Sequence, residues 1–113
     1  MSMIQDYFEI EKKYQNIYGE KTFLLYQVGS FFEVYGIQEK HDKHCKLFSD
    51  MCNLNLSIKQ NIKLSKTNDK LYMCGFQCYL LEKYIDRIQC HGCSAVIYEQ
   101  DAQDPTKRSF SKI

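Results

Sequence analysis

The feature that most constrains the fold of this chain is a pair of apolar runs, Phe23 to Val28 and Phe31 to Tyr35, separated only by Gly29 and Ser30. The first run is almost continuously apolar, which is typical of a strand covered on both faces. The second run is rich in aromatic and β-branched residues, which favour an extended backbone. The sequence therefore predicts two consecutive strands, the first of them fully buried.

The residues of the second strand divide into two faces, because side chains alternate along an extended chain. Phe31, Glu33 and Tyr35 point to one face, and Phe32 and Val34 point to the other. A carboxylate is rarely buried without a partner, so we expect the face of Glu33 to be the outer one. An exposed phenylalanine costs solubility and adds nothing to the core. Phe31 and Glu33 are therefore the candidate functional residues.

Periodicity in the rest of the chain predicts the fold class. We expect helices at residues 6–18, 39–52 and 79–90, and further strands at residues 54–58, 71–74 and 95–98. The last strand, helix and strand form a C-terminal βαβ unit, whose two strands run parallel. The sequence thus predicts a single domain of the α/β (α+β) class, with a mixed central sheet of about five to six strands and about three helices packed on it.

The predicted first helix is amphipathic. Its apolar residues recur at spacings of three and four, at Tyr7, Ile10, Tyr14 and Ile17, and Glu11 is among the charged residues that lie off this face. We therefore expect these four side chains to pack on the sheet.

The charge of the chain is nearly balanced. The formal net charge is +1 over 113 residues, so a global field that attracts nucleic acid is not expected, and an anion-binding surface needs local clustering. The segment from Lys59 to Lys70 is the one local concentration of positive charge, with four lysines and one acid. Its polar, irregular sequence predicts a loop. No apolar run approaches the ~20 residues that span a bilayer, so we expect no membrane partner.

Six cysteines without a secretory signal predict free thiols in a reducing, intracellular compartment. Cys74 and Cys78 precede the last predicted helix, and Cys90 and Cys93 follow it. About 18 Å of helix therefore separates the two pairs, at 1.5 Å per residue, so they cannot share one tetrahedral zinc ion. We expect no metal site.

Groups suited to catalysis are not visible in the sequence. His41, His44 and His91 have no partner at a spacing typical of metal ligation or of an acid–base pair, and no nucleophile elbow or phosphate-binding glycine loop is present. We therefore expect this domain to have no enzymatic activity and no cofactor.

The segment Val28 to Glu33, Val-Gly-Ser-Phe-Phe-Glu, resembles the Gly-Asp-Phe-Tyr-Glu motif of the N-terminal mismatch-recognition domain (domain I) of the MutS family of DNA mismatch repair proteins. Tyr7 to Tyr14 resembles the first helix of that domain, and Phe23 to Gly29 its opening strand. Met73 to Phe76 is similar to Met-Ala-Gly-Ile/Val, and Ala95 to Gln100 is similar to Val-Ala-Ile-Cys-Glu-Gln. Nearly the whole chain is covered in the same order.

The resemblance implies a partner and a mechanism. Phe31 matches the phenylalanine that stacks, from the minor groove, on a mispaired or unpaired base, and Glu33 matches the glutamate that hydrogen-bonds the same base. The implied partner is double-stranded DNA with mismatches or small loops. Lys59, Lys63 and Lys66 lie where the family contacts the DNA backbone, so they are candidate phosphate contacts.

The sequence departs from the family pattern near the motif. Ser30 replaces the usual aspartate and Phe32 the usual tyrosine. The segment from Gly75 to Tyr79 replaces Gly-Ile-Pro-Tyr-His, so the contacts of that histidine cannot be assigned to Tyr79. The pattern is most similar to the divergent branch found in large DNA viruses and some organelles.

Family members are long proteins with connector, lever, clamp and ATPase parts. We therefore expect residues 1–100 to be the mismatch-recognition domain, and residues 101–113 a tail that leads to an absent connector domain. ATP and Mg²⁺ binding and dimerisation are expected only of the longer parent protein.

Two other function classes remain open. A module that binds single-stranded DNA or RNA would use Phe31, Phe32 and Tyr35 as stacking platforms. A thiol oxidoreductase would use Cys90 and Cys93, although this pair lies at the end of a helix, whereas reactive thiols gain from a helix N-terminus.

Overall fold

A computed structural model describes residues 3–37, 42–64, 67–100 and 108–112. Within these ranges the helices are α1 (Met3–Tyr18), α2 (Asp42–Cys52) and α3 (Leu81–Cys90), and a 3₁₀ turn, Cys78–Leu80, precedes α3. The strands are β1 (Thr22–Val28), β2 (Phe31–Ile37), β3 (Ser57–Leu64), β4 (Thr67–Gln77), β5 (Ser94–Gln100) and β6 (Arg108–Lys112).

The strands form one mixed sheet in the order β3-β4-β2-β1-β5-β6. β1 pairs with β5 in parallel, from Thr22 opposite Ser94 to Tyr26 opposite Tyr98. The other neighbours are antiparallel. β4 and β5 therefore run in the same direction with α3 between them in the chain, which confirms the βαβ unit, but β2 and β1 lie between these two strands. The predicted α/β class is confirmed.

Two hydrophobic layers cover the faces of this sheet. The layer on the side of α2 and α3 contains Phe23, Leu25, Phe32 and Val34 together with Phe48 and Ile88. The layer on the side of α1 contains Tyr7, Leu24, Tyr26, Tyr35 and Val96. Successive residues of β1 thus enter opposite layers, which confirms that this strand is buried on both faces. In α3 the residues Tyr84, Ile85 and Ile88 are buried.

The buried face of α1 differs from the prediction. Ile17 is 57% exposed, whereas Glu11 is only 4% exposed. At 3.6 residues per turn, Glu11 lies about 40° from Tyr7 around the helix axis and Ile17 about 80°, so the carboxylate is nearer the centre of the buried face. Burial of Glu11 is tolerated because the hydroxyl group of Tyr7 donates a hydrogen bond to it over 2.9 Å.

The lysine-rich segment is not the predicted loop. β3 and β4 form an antiparallel hairpin, from Ser57 opposite Met73 to Leu64 opposite Thr67. Backbone hydrogen bonds form this ladder, and polar side chains are compatible with it because β3 is an edge strand of the described sheet. The predicted strand at residues 54–58 overlaps only the start of β3, and Ile58 is 52% exposed.

The C-terminal residues and the start of the second helix also differ from the prediction. Residues 108–112, for which the sequence predicts no strand, form β6 against β5. The predicted second helix begins at Asp42 in the structure, and residues 39–41 lie outside the described residues. Among the residues that the structure describes, none of the helices has the length and apolar character needed to cross a bilayer.

Candidate functional site

Phe31 is the first residue of β2 and is 43% exposed. The turn before it contains Gly29, whose φ of +61° lies in the left-handed region that favours glycine. The next inward pair, Phe32 and Val34, is buried at 3% and 0% exposure. The alternation therefore assigns Phe31 and Phe32 correctly. The site presents one aromatic ring to solvent from the end of a rigid strand.

The face of Phe31 is only partly an outer face. Tyr35, four residues along β2 and on the same side, is 1% exposed because α1 covers it. Glu33 lies between them and is half-buried. The prediction that this whole face is external is therefore wrong, because the helix covers one end of the strand and leaves the other end open.

Glu33 has a hydrogen-bond donor within its own strand. The hydroxyl group of Tyr35 donates to Oε1 of Glu33. Opposite Glu33 in the sheet is Gly75 of β4. A Cβ atom at Gly75 would lie 2.7 Å from the carbonyl oxygen of Phe32 and 3.4 Å from Cγ of Glu33. The glycine therefore permits the close approach of β4 to the backbone of β2 beside Glu33, whereas the distance to the glutamate side chain is an ordinary van der Waals contact.

A recess of about 360 Å³ lies beside Phe31 and Glu33. It is lined by Phe31, Glu33, Asn55, Ser57, Met73, Cys74 and Gly75. The ring and the methionine supply apolar surface, whereas the carboxylate, amide and hydroxyl groups supply polar contacts. Such a lining can stack on a planar ring and accept or donate hydrogen bonds at its edge.

The sequence did not lead us to assign several residues a role beside Phe31 and Glu33. Tyr35 shares the face of Glu33 at a spacing of two, and this signal was sufficient to place its hydroxyl group near the carboxylate. Ser57 and Gly75 reach the recess only because β3 pairs with β4 and β4 pairs with β2. No local pattern specifies the second pairing, because β4 is distant from β2 in sequence.

The 3₁₀ turn lies at the same end of the sheet as Phe31. The backbone N–H of Cys78 donates to the carbonyl oxygen of Ser30 over 2.8 Å, and Gln77 pairs with Phe31. Tyr79 follows in this turn and is 80% exposed. A second exposed aromatic ring therefore lies beyond the strand ends next to the β1–β2 turn.

The candidate phosphate contacts lie wholly or partly outside what the structure describes. Lys59 and Lys63 belong to β3, but their side chains are not among those described. Lys66 lies outside the described residues. Their contact with the backbone of DNA therefore stays a prediction.

The thiols and imidazoles do not assemble into a metal site in the part of the chain that the structure describes, since no three His, Cys, Asp or Glu side chains cluster there. Cys90 is exposed at the end of α3. Nδ1 of His91 lies 2.8 Å from the carbonyl oxygen of Arg87, and Nε2 of His44 lies 2.9 Å from that of Thr22. His41 lies outside the described residues.

The stacking-platform hypothesis for single-stranded nucleic acid requires three accessible rings. Phe32 and Tyr35 are buried at 3% and 1% exposure, and of the three only Phe31 can reach a base. This arrangement fits the insertion of a single ring better than a platform on which successive bases stack.

Comparison with known proteins relates this geometry to one family. A family model described as MutS domain I matches residues 1–113. The chain is 30% identical over 112 residues to the DNA mismatch repair protein MutS of Listeria welshimeri. The aligned region covers 97% of this chain and 11% of that protein. The MutS protein of Listeria monocytogenes matches with the same identity and coverage.

A viral relative matches as well. The chain is 28% identical over 102 residues to a protein of Acanthamoeba polyphaga mimivirus described as a DNA mismatch repair protein mutS homolog, with 88% of this chain and 9% of that protein covered. The chain thus spans about a tenth of the length of the curated relatives it matches.

Proposed function

The chain belongs to the MutS family as its domain I, and from this premise we propose that it recognises mismatched double-stranded DNA by inserting Phe31 beside a mispaired or unpaired base. The observation that supports this proposal most directly is the exposure of Phe31, at 43%, next to Phe32 at 3%. One ring is available to a ligand, and its neighbour anchors the strand in the core.

The proposed step is insertion of the Phe31 ring from the minor groove. Apolar side chains act as wedges between base steps and kink the duplex. A mispaired step has weaker pairing and stacking than a paired one, so it costs less to open. Mismatched DNA is then preferred because it deforms more easily, and the ring needs no base-specific contact to achieve this.

In the proposed complex Glu33 hydrogen-bonds the base on which Phe31 stacks. The two side chains line one recess, so an atom stacked on the ring lies within reach of the carboxylate. A duplex with a small loop presents an unpaired base to the same pair of residues. The proposed partners are therefore DNA duplexes with single mismatches or small loops.

Contacts to the sugar–phosphate backbone complete the proposed interface. Lys59, Lys63 and Lys66 are the candidate phosphate contacts, and they supply affinity without sequence information. The net charge of +1 and the small number of such contacts predict weak binding by this domain with a clear salt dependence.

ATP and Mg²⁺ binding and dimerisation would belong to segments outside this chain, which spans about a tenth of its relatives. This domain would act as a recognition module without catalytic chemistry, in a reducing intracellular compartment.

The test is a substitution of Phe31 by alanine, made in the longest natural polypeptide that contains this chain. Dissociation constants are measured at one fixed salt concentration for a duplex with a single mispair and for the matched duplex of the same flanking sequence. The readout is the dissociation constant of the matched duplex divided by that of the mispaired duplex. Because the ring is the wedge, Phe31→Ala should reduce this ratio to about 1, while the affinity for the matched duplex changes little.

Leu47 offers a matched control. It is an exposed apolar residue, at 50% exposure, on α2, which packs on the opposite face of the sheet from α1. Leu47→Ala should leave the ratio unchanged. A folded Phe31→Ala variant that keeps the full preference for the mispair would refute the proposal.

A further inference from the structure

We infer that Tyr35 is a positioning residue, whose hydroxyl group holds the carboxylate of Glu33 in the orientation in which it meets the base. This inference rests on the proposed function of the site. It concerns a residue that itself does not reach the ligand, since Tyr35 is 1% exposed.

The first support is the contact itself. Tyr35 and Glu33 share one face of β2, two residues apart, and the Tyr35 hydroxyl donates to Oε1 of Glu33. A glutamate at a half-buried strand position otherwise samples several rotamers. A hydrogen bond to a carboxylate is stronger than one between neutral groups, so the bond from Tyr35 favours one rotamer of Glu33.

The second support is the rigidity of the donor. The ring of Tyr35 packs edge-on against the ring of Tyr7, with centroids 5.1 Å apart and an interplanar angle of 86°. Both rings are fully buried between α1 and the sheet. The packing therefore fixes the side-chain conformation of Tyr35, and its hydroxyl group keeps one position relative to β2.

The third support is the space around Glu33. Gly75 lies opposite it in β4 and has no side chain, so the glutamate can lie along the sheet surface beside the recess. Tyr35 defines one end of this path and Phe31 the other. The carboxylate is thereby held at one side of the recess that Phe31 also lines.

A double-mutant cycle separates positioning from packing. The variants are Tyr35→Phe, Glu33→Ala and the double variant, and the readout is the ratio of dissociation constants for matched and mispaired duplexes. Tyr35→Phe should lower this ratio about three- to tenfold, the loss of roughly one hydrogen bond. In the Glu33→Ala background it should have no further effect, because Tyr35 acts through Glu33.

Tyr7→Phe is the matched control. It removes a buried hydroxyl group from the same aromatic cluster, but this group donates to Glu11 and not to Glu33. It should leave the ratio unchanged, even where it lowers thermal stability. Glu33→Asp is a second variant that does not alter the core, and it withdraws the carboxylate from Tyr35 by one methylene. It should lower the ratio as Tyr35→Phe does.

The inference is overturned if Tyr35→Phe keeps the full ratio, or if it lowers the ratio equally with and without Glu33. Failure of the proposed function has a different signature, since Phe31→Ala would then retain discrimination. Loss of discrimination in Phe31→Ala together with an unaffected Tyr35→Phe leaves the proposed function standing and rejects the role of Tyr35 alone.

Discussion

The hydroxyl group of Tyr7 donates a hydrogen bond to Oε2 of Glu11 over 2.9 Å, one helical turn away and inside the domain. Nε2 of His44, on α2, lies 4.0 Å from the same carboxylate oxygen. Burial raises the pKa of Glu11 to about 7, although the hydrogen bond from Tyr7 acts in the opposite direction. The buried face of α1 therefore contains a carboxyl group whose pKa lies near neutral pH.

This pKa predicts that stability depends on pH. Between the ordinary value of 4.5 and about 7, the folded state binds a proton that the unfolded state has lost. The free energy of unfolding should therefore fall as pH rises through this window, by about 3 kcal/mol in total. Urea denaturation at pH 5, 6 and 8 measures this slope. Glu11→Gln should flatten it, and identical slopes for the two proteins would contradict the prediction.

The neighbouring rings Phe31 and Phe32 should differ sharply in their contribution to stability. Phe32 is buried beside Phe76, with ring centroids 5.8 Å apart, whereas Phe31 is 43% exposed. Phe32→Ala should lower the free energy of unfolding by about 3–5 kcal/mol, and Phe31→Ala by no more than about 0.5 kcal/mol. Chemical denaturation of both variants decides this, and a cost for Phe31→Ala as large as that for Phe32→Ala would disprove the assignment of faces.

Gly75→Ala should affect both the fold and the site. The added methyl group would meet the backbone carbonyl oxygen of Phe32 at 2.7 Å, and backbone cannot move aside as a flexible side chain can. We expect a loss of about 1–3 kcal/mol in stability and a weaker preference for mispaired DNA. Thermal melting and duplex titration measure the two effects.

Ser57→Ala serves as the control for Gly75→Ala. Ser57 lines the same recess from β3, is exposed, and donates a hydrogen bond to the carbonyl oxygen of Met73 over 3.2 Å. Its loss should cost less than about 1 kcal/mol. If Gly75→Ala lowered the stability as little as Ser57→Ala, the close approach of β4 to β2 at Gly75 would not be needed for stability.

The cysteines should differ in their rates of alkylation under native conditions. Cys90 is exposed, so iodoacetamide should modify it first. Burial raises the pKa of the Cys52 thiol to about 11, and the contact with Cys45 together with burial raises the pKa of Cys74. These buried thiols should react only after unfolding. Mass spectrometry of timed samples measures this, and hyper-reactive Cys90 or Cys93 would instead favour the oxidoreductase hypothesis.

The faces of β1 and of the first residues of β2 could be predicted because each depends on a local pattern. β1 is continuously apolar, and Leu24 and Leu25 enter opposite layers of the core. Phe31 and Phe32 alternate, and their burial follows the prediction. The family relationship was also visible in the sequence, since its motifs occur in order along nearly the whole chain.

The features that could not be predicted depend on contacts that hydrophobic periodicity does not report. The β3–β4 hairpin has polar, lysine-rich strands, so no apolar pattern marks it, and it joins the sheet through the pairing of β4 with β2. Glu11 is buried because of a hydroxyl group one turn away, which hydrophobic periodicity does not register. The alternation along β2 predicts an external Tyr35, but α1 covers this residue. The position of α1 over β2 is set by tertiary packing, which the local pattern does not show.

The parallel pairing of β1 with β5 also has a consequence for how the domain is made. β1 and β2 are adjacent in sequence and can pair as soon as both leave the ribosome, but about 70 residues separate Thr22 from Ser94, a distant contact of the kind that slows folding. At about 5–20 residues per second, the second edge of β1 waits several seconds for its partner. Among the strands that have a partner on each side in the described sheet, β1 is thus the one whose second edge stays open longest during synthesis, and a nascent chain stalled before β5 would be prone to aggregate through it.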